Sequence, residues 1–359
     1  MSAVAQTETR EGSLLEFSDV LQQLAEGRDL TRQEAASALE QIADGAVGET
    51  QVAAFLMALR VKGETSEEIA GLADAMRRLA IPVETPYRDA LVDIVGTGGD
   101  CLGTFNISTT AAFVVAGAGV KVAKHGNRAA SSRCGSADVL EALGVRVDLA
   151  PHEVALCLDK VGMGFMLASL HHPAAAQVAG ARRALGVRTV FNFLGPLTNP
   201  AGVRRQLLGV SVPEYMGVLA GALARMGCER ALVVCGDQGM DELSVTGSST
   251  VVEVAHGTVG TPRSLEPESC GVSRHDQAAL KGDDPRENAD ITRQVLGGSN
   301  GGPRDVVLLN AAAALYVAGT VPSIREGVEL ARASIDSGRA ARVLAGMVAV
   351  TNGLIEGRQ

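Results

Sequence analysis

The sequence predicts an α/β protein, in which a small N-terminal helical domain precedes a larger domain with a mostly parallel sheet flanked by helices. Two observations lead to this fold class. Residues 14–80 have helical periodicity, whereas beyond residue 85 short apolar runs alternate with helical segments, as in parallel βαβ units. With 359 residues and 46% hydrophobic content, the chain is long enough for one large domain or two unequal ones.

The N-terminal region is predicted to form about four short helices. Two of their starts have the spacing of a capping box, in which a threonine precedes a glutamate by three residues. These pairs are Thr31 with Glu34 and Thr65 with Glu68. Pro82 and Pro86 then interrupt the pattern. We therefore place a helical domain at residues 13–85, to which a segment near residues 174–200 is a candidate addition, and an α/β domain at residues 86–359.

Short apolar runs in the second region predict buried parallel strands. The strand candidates are residues 91–95, 120–123, 145–147, 164–167, 207–212 and 231–235. Residues 248–273 are rich in Thr, Val and Gly without helical period, which predicts an irregular or antiparallel excursion. The apolar runs 107–120 and 306–319 are shorter than the ~20 residues of a membrane span, so we interpret them as buried helices. The chain from residue 305 to about 351 is predicted to be helical.

Composition argues against several classes of function. The net charge of −9 has no long single-sign block, and aromatic residues make up 3% with no Trp, so no nucleic-acid partner is expected. The six cysteines form no CxxC pair, which favours buried thiols over a zinc or redox motif. Residues 1–12 are polar and predict a disordered tail without a signal-peptide core. We expect a cytoplasmic protein that binds a small molecule and no membrane.

A glycine-rich loop at residues 96–100 follows the first predicted strand. Three glycines in GTGGD leave backbone N–H groups free to approach phosphate oxygens. Cys101 puts the loop out of register with the dinucleotide fingerprint GxGxxG, and no Gly-Lys-Ser/Thr follows as in a Walker A loop. Taken alone, these residues fit a plain strand-to-helix turn equally well.

Polar residues after the loop favour a phosphate site. Ser108 or Thr109 is predicted to cap the helix that begins there, so that its N-terminus faces the loop, and the Ser108 hydroxyl is also a candidate Mg²⁺ ligand. Lys124 and Asn127 follow the next strand and suit a polyanionic ligand. For Ser136, a helix cap and a phosphate contact remain equally open.

Adjacent carboxylates follow a later strand. Asp241 and Glu242 lie on the loop after residues 231–235. Such a pair is able to hold Mg²⁺ ions that bridge to ligand phosphates, because Mg²⁺ prefers one or two carboxylates together with waters and phosphates. In isolation the pair would more often be a solvated turn. In a chain with this glycine loop we favour the metal role.

Five motifs occur in order along residues 14–350. They are DIVGTGGD at 93–100, FNIST at 105–109, KHGNRAASSRCGSADVLEALG at 124–144, RTVFNFLGPLTNPA at 188–201 and the Asp241-Glu242 pair. Together they resemble the anthranilate phosphoribosyltransferase family of tryptophan biosynthesis. The resemblance implies transfer of the phosphoribosyl group of phosphoribosyl pyrophosphate to the amine of anthranilate, the second step of that pathway. It also implies two Mg²⁺ ions per subunit, a homodimer, and a functional association with anthranilate synthase.

The resemblance also assigns site residues. The phosphoribosyl pyrophosphate site is implied to contain Gly96, Gly99, Asp100, Thr104, Asn106, Ile107, Ser108, Thr109, Lys124 and Ser136. The anthranilate contacts are Gly96, Asn127 and Arg182, and the metal-linked residues are Ser108, Asp241 and Glu242. No covalent nucleophile is expected, because an aromatic amine is already neutral at pH 7. His125 is either a proton acceptor or a structural histidine.

Two positions depart from the family pattern. Ser169 stands where many members have proline, and His171 where tyrosine is common. This stretch resembles the wall of the aromatic-substrate channel, so it bears on the tolerance for substituted anthranilates. The alternatives are a pyrimidine nucleoside phosphorylase, which shares the fold, and a diverged or sensing paralogue that binds phosphoribosyl ligands without catalysis.

Overall fold

The computed structural model describes residues 16–129 and 133–356. Within these residues a helical bundle precedes an α/β region, which confirms the predicted fold class. The bundle comprises α1 (Phe17–Ala25), α2 (Arg32–Ala43), α3 (Glu49–Lys62) and α4 (Ser66–Leu79). The tail predicted at residues 1–12 lies outside the described residues.

Both predicted capping boxes form. The Thr31 hydroxyl accepts from the backbone N–H of Glu34 at 3.2 Å, and the Glu34 carboxylate accepts from the Thr31 N–H at 2.8 Å. Thr65 and Glu68 pair in the same way at the start of α4. Glu68 is also fully buried, where it accepts from the backbone N–H of Leu30 and the Nζ of Lys62, both at 2.9 Å. One carboxylate thus fixes a helix start, a preceding loop and the end of α3.

The strands of the second region form one mostly parallel sheet. They are β1 (Val92–Gly96), β2 (Val122–Gly126), β3 (Met163–Leu167), β4 (Arg205–Gly209), β5 (Arg230–Cys235), β6 (Ser249–Ala255), β7 (Thr258–Val259) and β8 (Arg263–Leu265). Their order is β3-β2-β1-β4-β5-β6-β7, with β8 paired to β6. The first five strands are parallel, and β6 runs antiparallel to β5. The antiparallel excursion predicted at residues 248–273 is therefore confirmed.

Helices cover the sheet. They are α5 (Ile107–Gly117), α6 (Ser136–Ala142), α7 (Pro151–Lys160), α8 (Ala168–His171), α9 (Ala174–Leu185), α10 (Phe191–Leu197), α11 (Met216–Arg225), α12 (Pro285–Leu296), α13 (Gly302–Val317), α14 (Ile324–Asp336) and α15 (Arg339–Glu356). The two apolar runs become the buried helices α5 and α13, as predicted. None of the described helices combines the length and the hydrophobicity that a bilayer crossing requires.

The strand predicted at residues 145–147 does not form. Its backbone donors are used elsewhere, because the N–H of Val145 bonds to the Leu140 carbonyl at the end of α6, and the N–H of Arg146 bonds to the Thr351 hydroxyl. Val145 and Val147 are nevertheless buried. An apolar run without ladder partners therefore packs into the core as extended loop.

Two hydrophobic cores meet at the sheet. Along β5, Leu232 and Val234 face the core that contains α5 and α13. The alternate residues Ala231 and Val233 face the core that contains the bundle. Helices α9 and α10 join the bundle side, with α9 against α2 and α3 and with α10 against α4. Because side chains alternate across a strand, a single strand contributes to both cores.

The buried carboxylate of Glu68 generates a stability prediction. Glu68→Gln should lower the free energy of unfolding by about 2 kcal/mol, because it removes the buried charged partner of Lys62 and leaves that ammonium paired only with the more exposed Asp29, at 2.7 Å. Glu34→Gln is the matched control, since glutamine also completes a capping box there, and should cost about 0.5 kcal/mol or less. Urea unfolding of both variants measures the difference. Equal losses would contradict the importance assigned to the buried network.

Candidate active site

Two adjacent strands end in glycine at the centre of the sheet. Gly96 of β1 pairs with Gly209 of β4 in the parallel register. A Cβ on Gly96 would lie 2.2 Å from Oδ2 of Asp241, and a Cβ on Gly209 would lie 1.6 Å from the Asp241 carbonyl oxygen. Only glycine at both positions lets the loop after β5 cross the strand ends. The carboxylate of Asp241 then accepts from the N–H of Gly98 at 2.7 Å.

The glycine loop is held by residues for which the sequence assigned no role. Nη2 of Arg188 donates to the carbonyl of Gly98 at 2.7 Å and to the hydroxyl of Ser211 at 3.1 Å, and that hydroxyl donates to the same carbonyl at 2.8 Å. Gly99 has φ +75°, and a Cβ there would lie 1.8 Å from the Arg188 guanidinium. Arg188 lies in the RTVFNFLGPLTNPA motif, but its target is 90 residues earlier, so spacing gave no sign of the contact.

The first turn of α5 faces the loop that carries Asp241 and Glu242. The N–H of Ser108 donates to Oε1 of Glu242 at 3.1 Å. The predicted caps are wrong, because α5 begins at Ile107, with Asn106 at the N-cap position and no side-chain cap bond. Ser108 and Thr109 lie within the first turn instead. The Oγ1 of Thr109 is buried without a hydrogen-bond partner in the described structure.

Lys124 is a buried cation at the centre of the site. Its Nζ donates to the carbonyl of Ile94 at 2.7 Å and to the hydroxyl of Ser108 at 3.2 Å, and the residue is 2% exposed. Burial lowers the pKa of Lys124, whereas the charges of Asp93, Glu242 and Asp241 oppose that change. These carboxylates favour the charged ammonium against the effect of burial, and an anionic ligand would favour it in the same way.

The carboxylates suit a divalent cation. Burial, and then the charge of Asp100, raise the pKa of Asp241, while burial and the charge of Asp241 raise the pKa of Glu242. Oδ2 of Asp100 is buried without a partner in the described structure. Among the described residues, no three His, Cys, Asp or Glu side chains form a preformed metal cage. A carboxylate pair beside a phosphate loop is what Mg²⁺ uses when the remaining ligands are waters and phosphates, so the residues fit this ion.

The other nominated residues surround this centre. The Thr104 backbone bridges to Lys281, and the Asn106 side chain contacts Asn288 and Cys134. Ser136 is the first residue of α6 and not its cap, because Asp138 accepts from the N–H of Gly135. The Ser136 hydroxyl instead donates to the carbonyl of Asn127 at 3.2 Å. The motif residues 130–132 lie outside the described residues.

Arg182 and the histidines lie on the bundle side. The Arg182 guanidinium is 5.7 Å from the centre of the Phe191 ring, and burial lowers its pKa. Nδ1 of His125 bonds to the Gly195 carbonyl at 3.0 Å, and its ring meets that of His172 edge-on at 5.0 Å. Burial lowers the pKa of His125 to about 3, with His172 contributing. His125 is therefore a weak base.

The two positions that depart from the family pattern differ in environment. Ser169 is exposed on α8. His171 is buried, and its Nδ1 bonds to the Ile81 carbonyl at 2.8 Å, so it is tied to the segment that follows α4. The cysteines also divide: five are buried as predicted, but Cys101 is exposed. The prediction is wrong for Cys101, which directly follows the glycine loop with φ 59° and is not part of a strand or helix.

Comparison with known proteins gives consistent matches along the chain. Residues 18–80 match the model of the glycosyl transferase family, helical bundle domain, and residues 88–341 match that of the glycosyl transferase family, a/b domain. Anthranilate phosphoribosyltransferase of Anaeromyxobacter sp. (strain Fw109-5) is 54% identical over 94% of this chain and 99% of the relative. That of Rubrobacter xylanophilus is 52% identical over 94% of this chain and 98% of the relative.

Solved structures agree with the sequence relatives. Anthranilate phosphoribosyltransferase from Thermus thermophilus superposes with a TM-score of 0.88 at 47% identity, covering 93% of this chain and 99% of that one. The Saccharomyces cerevisiae enzyme in complex with PRPP and Mg superposes with a TM-score of 0.85 at 31% identity, covering 94% and 98%. With both domain types and these relatives matched along its length, the chain belongs to the anthranilate phosphoribosyltransferase family.

Proposed function

We propose that the chain transfers the phosphoribosyl group of phosphoribosyl pyrophosphate to the amine of anthranilate, giving N-(5-phosphoribosyl)anthranilate and pyrophosphate in tryptophan biosynthesis. The assembly of Lys124, Ser108 and the Asp241-Glu242 pair against the glycine loop carries this proposal. It joins a cation, amide donors and a metal-binding pair where three parallel strands end. A phosphorylated ligand with a pyrophosphate leaving group needs this combination.

In this proposal, the protein groups stabilise the negative charge of the departing pyrophosphate. As the bond from the anomeric carbon to pyrophosphate breaks, negative charge collects on the departing oxygens. The N–H groups of the loop are fixed dipoles and the Lys124 ammonium is a fixed charge. Both stabilise the negative charge on these oxygens without having to reorient during the reaction. Bound Mg²⁺, held by Asp241, Glu242 and Ser108, supplies further neutralisation of the pyrophosphate. We expect two ions per subunit.

The nucleophile needs orientation more than activation. The anthranilate amine is neutral at pH 7, so no covalent residue or obligatory base is assigned. Asn127 and Gly96 contact anthranilate in this proposal, and the Arg182 guanidinium is a partner for its carboxylate. The low pKa of His125 argues against its role as proton acceptor and favours that of a neutral, buried positioning group. We further propose that the enzyme is a cytoplasmic homodimer that associates functionally with anthranilate synthase.

A direct assay tests the activity. Anthranilate fluorescence should fall when phosphoribosyl pyrophosphate and Mg²⁺ are added to the purified chain, and chelation of Mg²⁺ should stop the decay. Uridine with inorganic phosphate is the control substrate pair and should give no free base. No decay at any enzyme concentration, or phosphorolysis of uridine in its place, would overturn the proposal.

The carboxylate pair gives a second prediction. Asp241→Asn combined with Glu242→Gln should lower kcat/KM by at least about 10³-fold, because the metal loses its anchoring charges. Because Asp93 still faces Lys124 and the new amide oxygens are able to accept from the N–H groups of Gly98 and Ser108, the double variant should remain folded. Mg²⁺ should raise the unfolding temperature of the parent but not of the variant.

The control for this pair is Asp237→Asn on the same loop. Asp237 accepts from the Thr246 hydroxyl at 2.8 Å, and an amide oxygen is able to keep that bond. Its activity should stay within about twofold of the parent, as is usual for a substitution outside such features. Near-normal activity of the double variant would remove the metal assignment.

Arg188 generates a third prediction. Arg188→Gln should raise KM for phosphoribosyl pyrophosphate about tenfold, because the Gly98 carbonyl loses a charged hydrogen bond worth about 1.5 kcal/mol or more. Arg183→Gln, at an exposed position on α9, is the matched control and should leave KM unchanged. Steady-state kinetics with phosphoribosyl pyrophosphate varied at saturating anthranilate measures both. An unchanged KM for Arg188→Gln would show that the loop keeps its shape without this clamp.

A further inference from the structure

A polar cavity lies near the starts of β1 and β4, at the other end of these strands from the glycine loop. Its volume is about 400 Å³, and it opens where the segment after α4 meets the loop that precedes β4. These two segments touch directly, because the N–H of Val83 donates to the Pro200 carbonyl at 3.1 Å. Lining residues that bear on its chemistry are Arg77, Glu84, Arg88, Asn199 and Gly202.

Two arginines enter this cavity from different parts of the fold. Arg77 lies in α4 of the bundle, and its Nε donates to the Leu197 carbonyl at 2.9 Å. Arg88 precedes β1 and rests on Gly202, where a Cβ would lie 2.7 Å from its Nε. Its own bond to the Gly202 carbonyl is long, at 3.4 Å. Both guanidinium groups therefore keep Nη donors for another partner.

Neither arginine has a carboxylate partner among the described residues. Neighbouring arginines of the bundle do, since Arg32 pairs with Asp74 and Arg78 pairs with Glu40, each at 2.6 Å. Burial lowers the pKa of Arg77, the charge of Asp74 opposes that change, and the positive charge of Arg88 adds to it. Glu84, the acidic lining residue, is exposed and forms no salt bridge within the described structure. Among the described residues, two like charges thus face a cavity in which neither forms an ion pair, although Asp74 and Glu84 are nearby carboxylates.

We propose that this cavity binds a small dianion of the phosphate class, inorganic phosphate or a phosphate monoester, between Arg77 and Arg88. Guanidinium groups match such oxyanions because their planar fork donates two parallel hydrogen bonds. The site is separate from the glycine loop and goes beyond the proposed function. It does not depend on the identity of the transferase substrates.

The position of the site means that a bound dianion links the bundle to the α/β part. One guanidinium belongs to the bundle and the other to the α/β part, so a shared anion joins the two. Asn199 of the same loop donates to Asp93 Oδ2 and to the Ala123 carbonyl, both at 2.8 Å. The occupied site therefore stiffens residues 80–88 against the strands that carry the active site.

Isothermal titration of the full chain with inorganic phosphate at constant ionic strength tests the proposal. Affinity for one class of site should fall about tenfold or more in Arg88→Gln and Arg77→Gln, because each removes a charged pair of hydrogen bonds. Arg204→Gln is the matched control, with the same charge change at a nearby exposed position. Glycerol 3-phosphate, titrated in parallel, distinguishes a monoester site from one that accepts inorganic phosphate alone.

Amide hydrogen exchange supplies an independent readout. Phosphate should slow exchange in residues 80–88 of the parent and of Arg204→Gln, and should have no effect there in Arg88→Gln. If Arg77→Gln fails to fold because Leu197 loses its donor, the exposed Arg88→Gln still decides the question. Equal phosphate affinity in the parent and Arg88→Gln, or equal losses in Arg88→Gln and Arg204→Gln, would overturn the proposal.

Discussion

The approach of Asp241 to two paired strand ends is the constraint on which the site depends. Gly96 and Gly209 are neighbours in the register, and side chains at either position would occupy the space of the Asp241 main chain or carboxylate. With that space open, the loop after β5 reaches across β4 to β1. The same crossing places Glu242 against the first turn of α5. A single pair of bare strand ends therefore brings together groups from four separate segments.

The buried charges of this assembly lie close together, with more carboxylates than cations. Lys124 is surrounded by Asp93, Asp241 and Glu242, and its hydrogen bonds go to a carbonyl and a hydroxyl. Burial raises the pKa of all three carboxyl groups, and the neighbouring charges of Asp100 and Asp241 add to the rise for Asp241 and Glu242 respectively. A divalent cation relieves the excess of negative charge, and a phosphorylated ligand then restores the balance. Metal and phosphate each improve the site for the other.

Local patterns predicted the elements well, because their causes are local. The capping boxes of Thr31 and Thr65 and the apolar helices α5 and α13 follow from residues within one or two turns. Boundaries were less accurate: β4 ends at Gly209, three residues before the end of its apolar run. The strand predicted at residues 145–147 failed because pairing depends on partners that an apolar run does not reveal.

The site was predictable where a motif carries its own chemistry. The glycine loop and the Asp241-Glu242 pair can be recognised as short sequence motifs, and the structure brings them together. Arg188 and Ser211 were not, because each acts on Gly98 across 90 or more residues. Of the two roles left open for Ser136, the helix cap does not form, because Gly135 lies at the N-cap position and Asp138 accepts from its N–H. Contacts between residues so far apart in sequence depend on the order of the strands in the sheet, which short sequence patterns do not reveal.

The alternation along β5 also limits how the two parts of the chain can move. Ala231 and Val233 belong to the bundle-side core, in which α11 packs against both β5 and α4, so a rotation that lifted the bundle would expose the apolar contact between α4 and α11 at roughly 25 cal/mol per Å². A displacement that keeps this contact covered avoids this cost. Such a displacement is a shear, in which packed helices slide by small distances over the sheet. Motion of the bundle relative to the sheet should accordingly proceed by sliding and not by rotation away from it.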